Sequence, residues 1–93
     1  MRTIKQTSQF KRDFKRESKG KHKKTLAEDF KAVLILLLSD AALPEKYCDH
    51  AMIGNWNDHR NCHIKPDLIL MYRLPDVKTL QLVRLGSHSE LSI

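Results

Sequence analysis

The sequence predicts a small α+β protein in which an N-terminal strand and two antiparallel helices pack on a mainly antiparallel sheet of four or five strands. Three observations favour this fold class: a strand-like start, helical spacing of the apolar residues over the following third, and strand-like runs separated by proline turns towards the end. A chain of 93 residues has a thin core and room for one domain. We therefore expect residues 1–93 to form a single domain.

The N-terminal segment predicts an edge strand and a basic helix. Residues 1–7 place an apolar side chain among polar and basic ones, which is typical of a short edge strand. Ser8 is a suitable N-cap, and Phe10 and Phe14 are one helical turn apart. A first helix is therefore predicted from about Gln9 to Lys19.

A second helix is predicted from His22 or Lys23 to about Ser39. Its second half, Ala32–Leu38, is apolar nearly all round and predicts the main core helix. These seven residues are far fewer than the roughly 20 that a membrane-spanning helix needs. A short connection at Gly20 favours an antiparallel helix pair on one face of the sheet.

Three strands are predicted after the second helix, from about Trp56 to Ile64, from Asp67 to Leu74 and from Val77 to Leu85. The second is a nearly continuous apolar run, which predicts a central strand buried on both faces. Proline turns at 65–66 and 74–76 make the three strands a meander. The two turns then lie at opposite ends of the sheet, so the third strand ends beside the first turn.

This meander brings His63, Asp67 and His88 together at one end of the sheet. His50 precedes a loop long enough to reach them, although the topology does not require it. Cleavage of RNA without a metal needs a base for the 2′-hydroxyl, an acid for the departing 5′-oxygen and cations for the phosphorane. Imidazoles can perform either proton transfer near neutral pH, and a carboxylate can orient one or act as the base. The cluster therefore predicts an RNA-cleaving site.

Cationic and aromatic side chains around this cluster are candidate RNA ligands. Arg60 and Arg84 supply permanent charge and two-pronged phosphate geometry, and Lys65 adds a further cation. Trp56 is a candidate for base stacking, with a core or loop anchor as the more ordinary interpretation.

Positive charge is concentrated in the predicted helices. Residues 1–31 carry 11 Lys or Arg and four Asp or Glu, an excess of +7, whereas residues 32–93 carry six and seven, a balance of −1. Such a surface suits a phosphate backbone, since each neutralised phosphate releases a counterion. A solvated helix face is the alternative. The histidines outside the cluster, His22 and His59, are interpreted as surface residues.

The two cysteines bear on redox and metal chemistry. With no secretory leader visible, Cys48 and Cys62 are expected to be reduced in a cytoplasmic protein. Together with His50 and His63 they could form a zinc set. The spacing fits no common zinc knuckle, however, and the adjacent residues 62 and 63 point to opposite faces of a strand. We expect no metal and no other cofactor.

The chain resembles the YafQ branch of the RelE/ParE toxin superfamily over its whole length. The resemblance is carried by Asp49-His50, Gly54-x-Trp56, Arg60, His63, Pro66-Asp67, Ile69-Leu70-x-Tyr72 and Arg84-x-Gly86-x-His88. It implies a RelE-like fold and a bacterial type II toxin, a ribosome-dependent messenger RNA interferase that cuts in-frame, adenine-rich codons in the A site. It also implies a DinJ-like antitoxin that neutralises the toxin and joins it in repressing their operon at operator DNA.

The resemblance assigns His50, His63, Asp67 and His88 as catalytic residues, with Arg84 as a phosphate ligand. We expect His88 to be the acid, Asp67 or His50 the base, and His63 the stabiliser of the phosphorane. The basic helices would then contact the ribosome through Lys11, Arg12, Lys15, Arg16, Lys19 and Lys23. One departure is that Leu91-Ser92-Ile93 replaces a segment in which the family has an aromatic residue.

Two other functions remain open at this stage. A ParE-like toxin would share the scaffold but poison DNA gyrase by binding, and would leave messenger RNA uncut. A cleavage-inactive member would persist as the antitoxin-binding half of a repressor. The ParE-like alternative gives no reason for the clustered histidines.

Overall fold

A computed structural model describes residues 1–52, 54 and 58–91. Along the chain its elements are β1 (Thr3–Gln6), α1 (Ser8–Glu17), α2 (Leu26–Leu38), a 3-10 turn (Glu45–Tyr47), β2 (His50–Ala51), β3 (Arg60–Lys65), β4 (Leu68–Arg73), β5 (Thr79–Gly86) and α3 (His88–Leu91). The predicted α+β class is confirmed. Within the described ranges, no helix is both long and apolar enough to cross a membrane.

The five strands form one sheet in the order β1-β5-β4-β3-β2. β1 pairs parallel with β5, and the other neighbours are antiparallel. The meander of β3, β4 and β5 is as predicted. β4 is central and buried at every position except its last, Arg73, because both of its faces are covered. β1 is the predicted edge strand.

Both long helices pack on one face of the sheet. Val33 and Leu37 of α2 and Phe10 of α1 are buried against Leu70 and Leu82 of the central strands. Burying side chains of this size contributes roughly 1.5–3 kcal/mol each. The rings of Phe10, Phe14 and Phe30 join the two helices, with centroids 5.3 to 6.0 Å apart.

The structure corrects the predicted helix ends. Thr7, not Ser8, is the N-cap of α1, because its side chain accepts a hydrogen bond from the Phe10 amide at 2.9 Å. α1 ends at Glu17, and α2 begins at Leu26 because residues 21–25 form turns. β2, the 3-10 turn and α3 were not predicted, since two to four residues are too few to show a period.

Side chains of α1 and of its N-cap residue complete the edge of β5. β1 pairs with only the first four residues of β5, and no other strand of the described chain continues that edge. Instead Thr7 Oγ1 donates to the Val83 carbonyl at 2.8 Å, the Asp13 carboxylate accepts from the Leu85 amide at 3.0 Å, and Arg16 donates to the Leu85 carbonyl at 2.9 Å. These bonds satisfy backbone groups that a strand would otherwise pair. They fix α1 against the strand that leads to His88.

Candidate active site

Two imidazoles meet at one end of the sheet. The rings of His63 in β3 and His88 at the start of α3 have centroids 5.3 Å apart and lie edge to face at 72°. The register explains this contact, because His63 pairs with Ile69 of β4 and Ile69 pairs with Gly86 of β5. His88 follows Gly86 by two residues and therefore lies over the same end. The convergence of these two histidines, predicted from hairpin topology, is confirmed.

His63 and His88 share this end of the sheet with His50. β2 pairs His50 with Asn61, two residues before His63 on β3. Burial lowers the pKa of His63, and the charges of His88 and His50 lower it further. The site therefore favours the neutral form of His63, which can donate a hydrogen bond without carrying charge.

The tautomer of His50 follows from its partner. His50 Nδ1 lies 2.7 Å from the carbonyl oxygen of Cys48, and a carbonyl can only accept, so Nδ1 carries the hydrogen. In the neutral ring Nε2 then holds the lone pair. This is the form that a general base requires.

Asp67 lies in the turn between β3 and β4, where it binds a lysine that was not predicted as a site residue. Lys21 Nζ is 2.5 Å from Asp67 Oδ2. The hydrogen bond and charge of Lys21 lower the pKa of Asp67, with smaller effects of His22 and His88. Because both side chains are more than half exposed, water screens the pair. No sequence pattern places the connection between α1 and α2 at this turn.

A capping box holds the short helix that carries His88. Ser87 Oγ accepts from the Glu90 amide at 3.2 Å, and Glu90 Oε1 accepts from the Ser87 amide at 3.0 Å. Arg16 binds the other Glu90 oxygen at 3.0 Å. A side chain at Gly86 would crowd both Arg16 and Glu90, since a Cβ there would lie 3.0 Å from Arg16 Nη2 and 3.3 Å from Glu90 Cβ. The Ser87-x-x-Glu90 spacing is the signal that could have revealed this arrangement.

Arg84, a predicted phosphate ligand, is oriented by a buried carboxylate. Its Nε lies 2.8 Å from Oδ2 of Asp13, whose side chain is fully buried. Burial by itself raises the pKa of Asp13, but hydrogen bonds from Arg84 and the Leu85 amide bring that pKa below its usual value. Asp13 is thus an anion beneath a partly exposed guanidinium. Arg16, predicted to contact the ribosome, also binds this carboxylate.

Arg60 is not brought together with the histidines. It pairs with Tyr72, whose ring belongs to the helix-side core, and its guanidinium binds Asp49 at 3.0 Å. The Tyr72 hydroxyl donates to the same carboxylate at 2.5 Å. Arg60 therefore lies on the opposite face of the sheet from His63, which strand alternation explains.

The structure describes the position of one of the two remaining predicted RNA ligands. Lys65 binds Asp29 at 2.5 Å and borders a groove beside His63. Trp56 lies outside the described residues. His22 and His59, interpreted from the sequence as surface residues, are each partly exposed: the turns after α1 bring His22 near Asp67, and His59 Nδ1 lies 2.7 Å from Asp58.

The two cysteines do not join the histidines in a metal site. Cys62 is completely buried in the helix-side core, and burial raises the pKa of its thiol to about 12. Across residues 1–52, 54 and 58–91, no group of three or more potential ligands is placed to hold a metal ion.

The fold and this site together define a class of small basic α+β proteins with clustered imidazoles at one end of the sheet. Comparison with known proteins identifies the family. Residues 2–93 match the family described as the bacterial toxin of the type II toxin-antitoxin system, YafQ. The chain belongs to this family, which confirms the resemblance inferred from its motifs.

Individual relatives agree with this assignment. The chain is 36% identical over 91 residues to the mRNA interferase toxin YafQ of Escherichia coli K12, covering 97% of this chain and 95% of that protein. A copper-bound mutant toxin from Helicobacter pylori superposes with a TM-score of 0.85 at 34% identity, covering 98% and 99% of the two chains. A chain of the E. coli DinJ-YafQ complex gives 0.80 at 31% identity, covering 98% of each. The K12 relative is named an mRNA interferase, which is an endoribonuclease, so the predicted enzyme class is confirmed.

Proposed function

We propose that this toxin is a ribosome-dependent endoribonuclease that cuts messenger RNA by acid–base chemistry. The observation that carries the proposal is the pair of imidazoles of His63 and His88, 5.3 Å apart, at the end of the sheet where Asp67 lies. The mRNA interferase relative at 36% identity supports the same activity.

In the proposed reaction, Asp67 or the Nε2 lone pair of His50 takes the proton of the 2′-hydroxyl. The 2′-oxygen attacks the adjacent phosphorus, and the bond from phosphorus to the 5′-oxygen breaks. His88 gives its proton to that leaving oxygen, so the products are a 2′,3′-cyclic phosphate and a 5′-hydroxyl. His63 donates an N–H to the phosphorane as a neutral ring, in agreement with its lowered pKa.

Arg84 contributes positive charge to this reaction. Asp13 fixes the orientation of its guanidinium, so the charge is in place before the substrate arrives. Preorganised charge of this kind costs no rearrangement during the reaction. Arg60, on the opposite face, has no role in this proposal.

The proposed partners follow from the surface and from the relatives. Lys11, Arg12, Lys15, Lys19 and Lys23 are exposed and available to ribosomal RNA, whereas the guanidinium of Arg16 is engaged by Asp13 and Glu90. A DinJ-like antitoxin is the proposed protein partner, because a close structural relative is the E. coli DinJ-YafQ complex. With that antitoxin the toxin would repress its operon. The proposed place of action is the cytoplasm, where ribosomes are, and the proposed targets are in-frame, adenine-rich codons.

Primer-extension mapping of messenger RNA ends tests the proposal. The wild type and His88→Ala are each induced without antitoxin, and the ends are compared. New ends at in-frame codons from the wild type alone are expected. Growth arrest without new ends would favour the gyrase-poisoning alternative, and neither arrest nor ends would favour the inactive co-repressor.

A further inference from the structure

A groove of about 340 Å³ opens beside His63. Its walls include Tyr47, Lys46, Lys65 and Asp29. We infer that this groove binds one nucleotide of the substrate, the one next to the phosphate that is cut, with its base against Tyr47 and its backbone near the two lysines. The inference rests on the proposed function and extends it from the reacting atoms to the neighbouring nucleotide.

The groove exists because β2 is short. β2 pairs only with the first two residues of β3, and no other strand of the described chain covers the remaining edge. A register shift between His63 and Lys65 bends that edge. Helix α2 and the 3-10 turn close the opposite side and contribute Asp29 and Tyr47 respectively.

Tyr47 is a fixed aromatic wall. Its ring is half-buried and packs against the hydrophobic core, so little side-chain freedom is lost when a base lies on it. Lys46 Nζ lies over the ring, 5.0 Å from its centroid, so the lysine moves aside when a base stacks on this face. An aromatic ring beside a cation is the combination by which proteins hold single nucleotides without reading their sequence.

Charge and size also favour a nucleotide. Lys65 is held in the groove by Asp29, and Lys46 adds a positive charge that no carboxylate of the groove neutralises. The volume is near the lower end of the roughly 300–1,000 Å³ typical of small-molecule sites, which suits one nucleotide rather than a folded peptide. Because His63 borders the groove and also contacts His88, a nucleotide in the groove would lie next to the imidazole pair across the open edge of β3.

Binding of an uncleavable RNA tests the groove separately from catalysis. The full-length toxin is titrated with a 2′-O-methyl trinucleotide, and NMR signals and fluorescence anisotropy are followed. We expect contacts between ring protons of Tyr47 and base protons in the wild type, seen as intermolecular nuclear Overhauser effects. Tyr47→Leu, which keeps apolar packing, should weaken binding about tenfold, and Tyr47→Phe should bind as the wild type does.

Lys46→Gln and Lys78→Gln form a matched pair. Both remove one exposed positive charge, but Lys78 lies in the turn before β5, at the other end of the sheet. Lys46→Gln should weaken binding severalfold and reduce its salt dependence, and Lys78→Gln should change neither. Equal losses in the two variants would overturn the inference.

Two further outcomes would also overturn it. One is RNA binding with no contact to Tyr47 in the wild type, a measurement that does not depend on any variant folding. The other is a titration in which the NMR signals of the groove residues shift when the antitoxin is added but not when the trinucleotide is added. Because the trinucleotide cannot be cut, these results stand whether or not the toxin proves to be a nuclease.

Discussion

Replacing Asp13 with asparagine tests how α1 is fixed to the strand that leads to the active site. The fully buried carboxylate accepts hydrogen bonds from Arg84 and the Leu85 amide at 2.8 and 3.0 Å, and binds Arg16 at 3.1 Å. Breaking a buried ion pair costs about 3–5 kcal/mol when one partner is left uncompensated. Here both arginines are partly exposed and an amide oxygen still accepts one bond, so we expect a loss of about 2 kcal/mol.

Urea unfolding at pH 7 measures this loss, with Asp40→Asn as the control. Asp40 pairs with Arg2 at 2.7 Å but is 60% exposed, so its replacement should cost less than about 1 kcal/mol. Asparagine also tolerates the positive φ of 57° at that position. Equal midpoints for Asp13→Asn and the wild type would refute the role given to Asp13.

The pH dependence of stability gives a second check on Asp13. Its folded-state pKa is below its ordinary value, so its contribution is present above that ordinary value and disappears as pH falls through the lowered pKa. The difference in unfolding free energy between the wild type and Asp13→Asn should therefore shrink on acidification below about pH 4. A difference that does not change with pH would contradict the assignment of an ionised carboxylate.

Three further predictions concern the active site itself. Glu90→Ala should slow RNA cleavage about tenfold, because it loosens the helix that holds His88. Glu90→Gln keeps an acceptor for the Ser87 amide and should retain most of the activity. Equal losses of activity in the two variants would argue against the capping box. NMR titration should show the pKa of the Asp67 carboxyl rising towards its ordinary value in Lys21→Gln, and an unchanged pKa would mean that the ion pair does not persist in solution. In the same experiment His88→Ala should raise the pKa of His63, because one of the charges that lower it is gone; a fall would show that His88 stabilises protonated His63 instead.

Much of the fold could be predicted from local patterns. The apolar run in β4 indicated a central strand, and the two proline turns were enough to place His63 and His88 at the same end. This placement depends only on the order and direction of the strands, so errors in the predicted strand ends did not affect it. Helix ends were less predictable, because Thr7 and Ser8 are both good caps and only tertiary contacts decide between them.

The electrostatic partners of the site could not be predicted. Lys21 reaches Asp67 across 46 residues, and Asp13 reaches Arg84 across 71. Neither pair has a spacing that a sequence pattern could reveal, since the first depends on how two distant turns meet and the second on how α1 lies against β5. Arg60 and Arg84 look alike in sequence as permanent cations, but strand alternation puts Arg60 on the helix side with Tyr72.

The central claim, attack by the 2′-hydroxyl at the site of His63 and His88, is tested most directly with a single-atom change in the substrate. Programmed ribosomes are given a messenger RNA that carries one 2′-deoxynucleotide immediately 5′ of the mapped cut, and products are compared with those of the all-ribose RNA. We predict cleavage of the all-ribose RNA to a 2′,3′-cyclic phosphate and no cleavage of the deoxy-substituted RNA. Equal cleavage of both, or products ending in a 3′-hydroxyl, would contradict the mechanism.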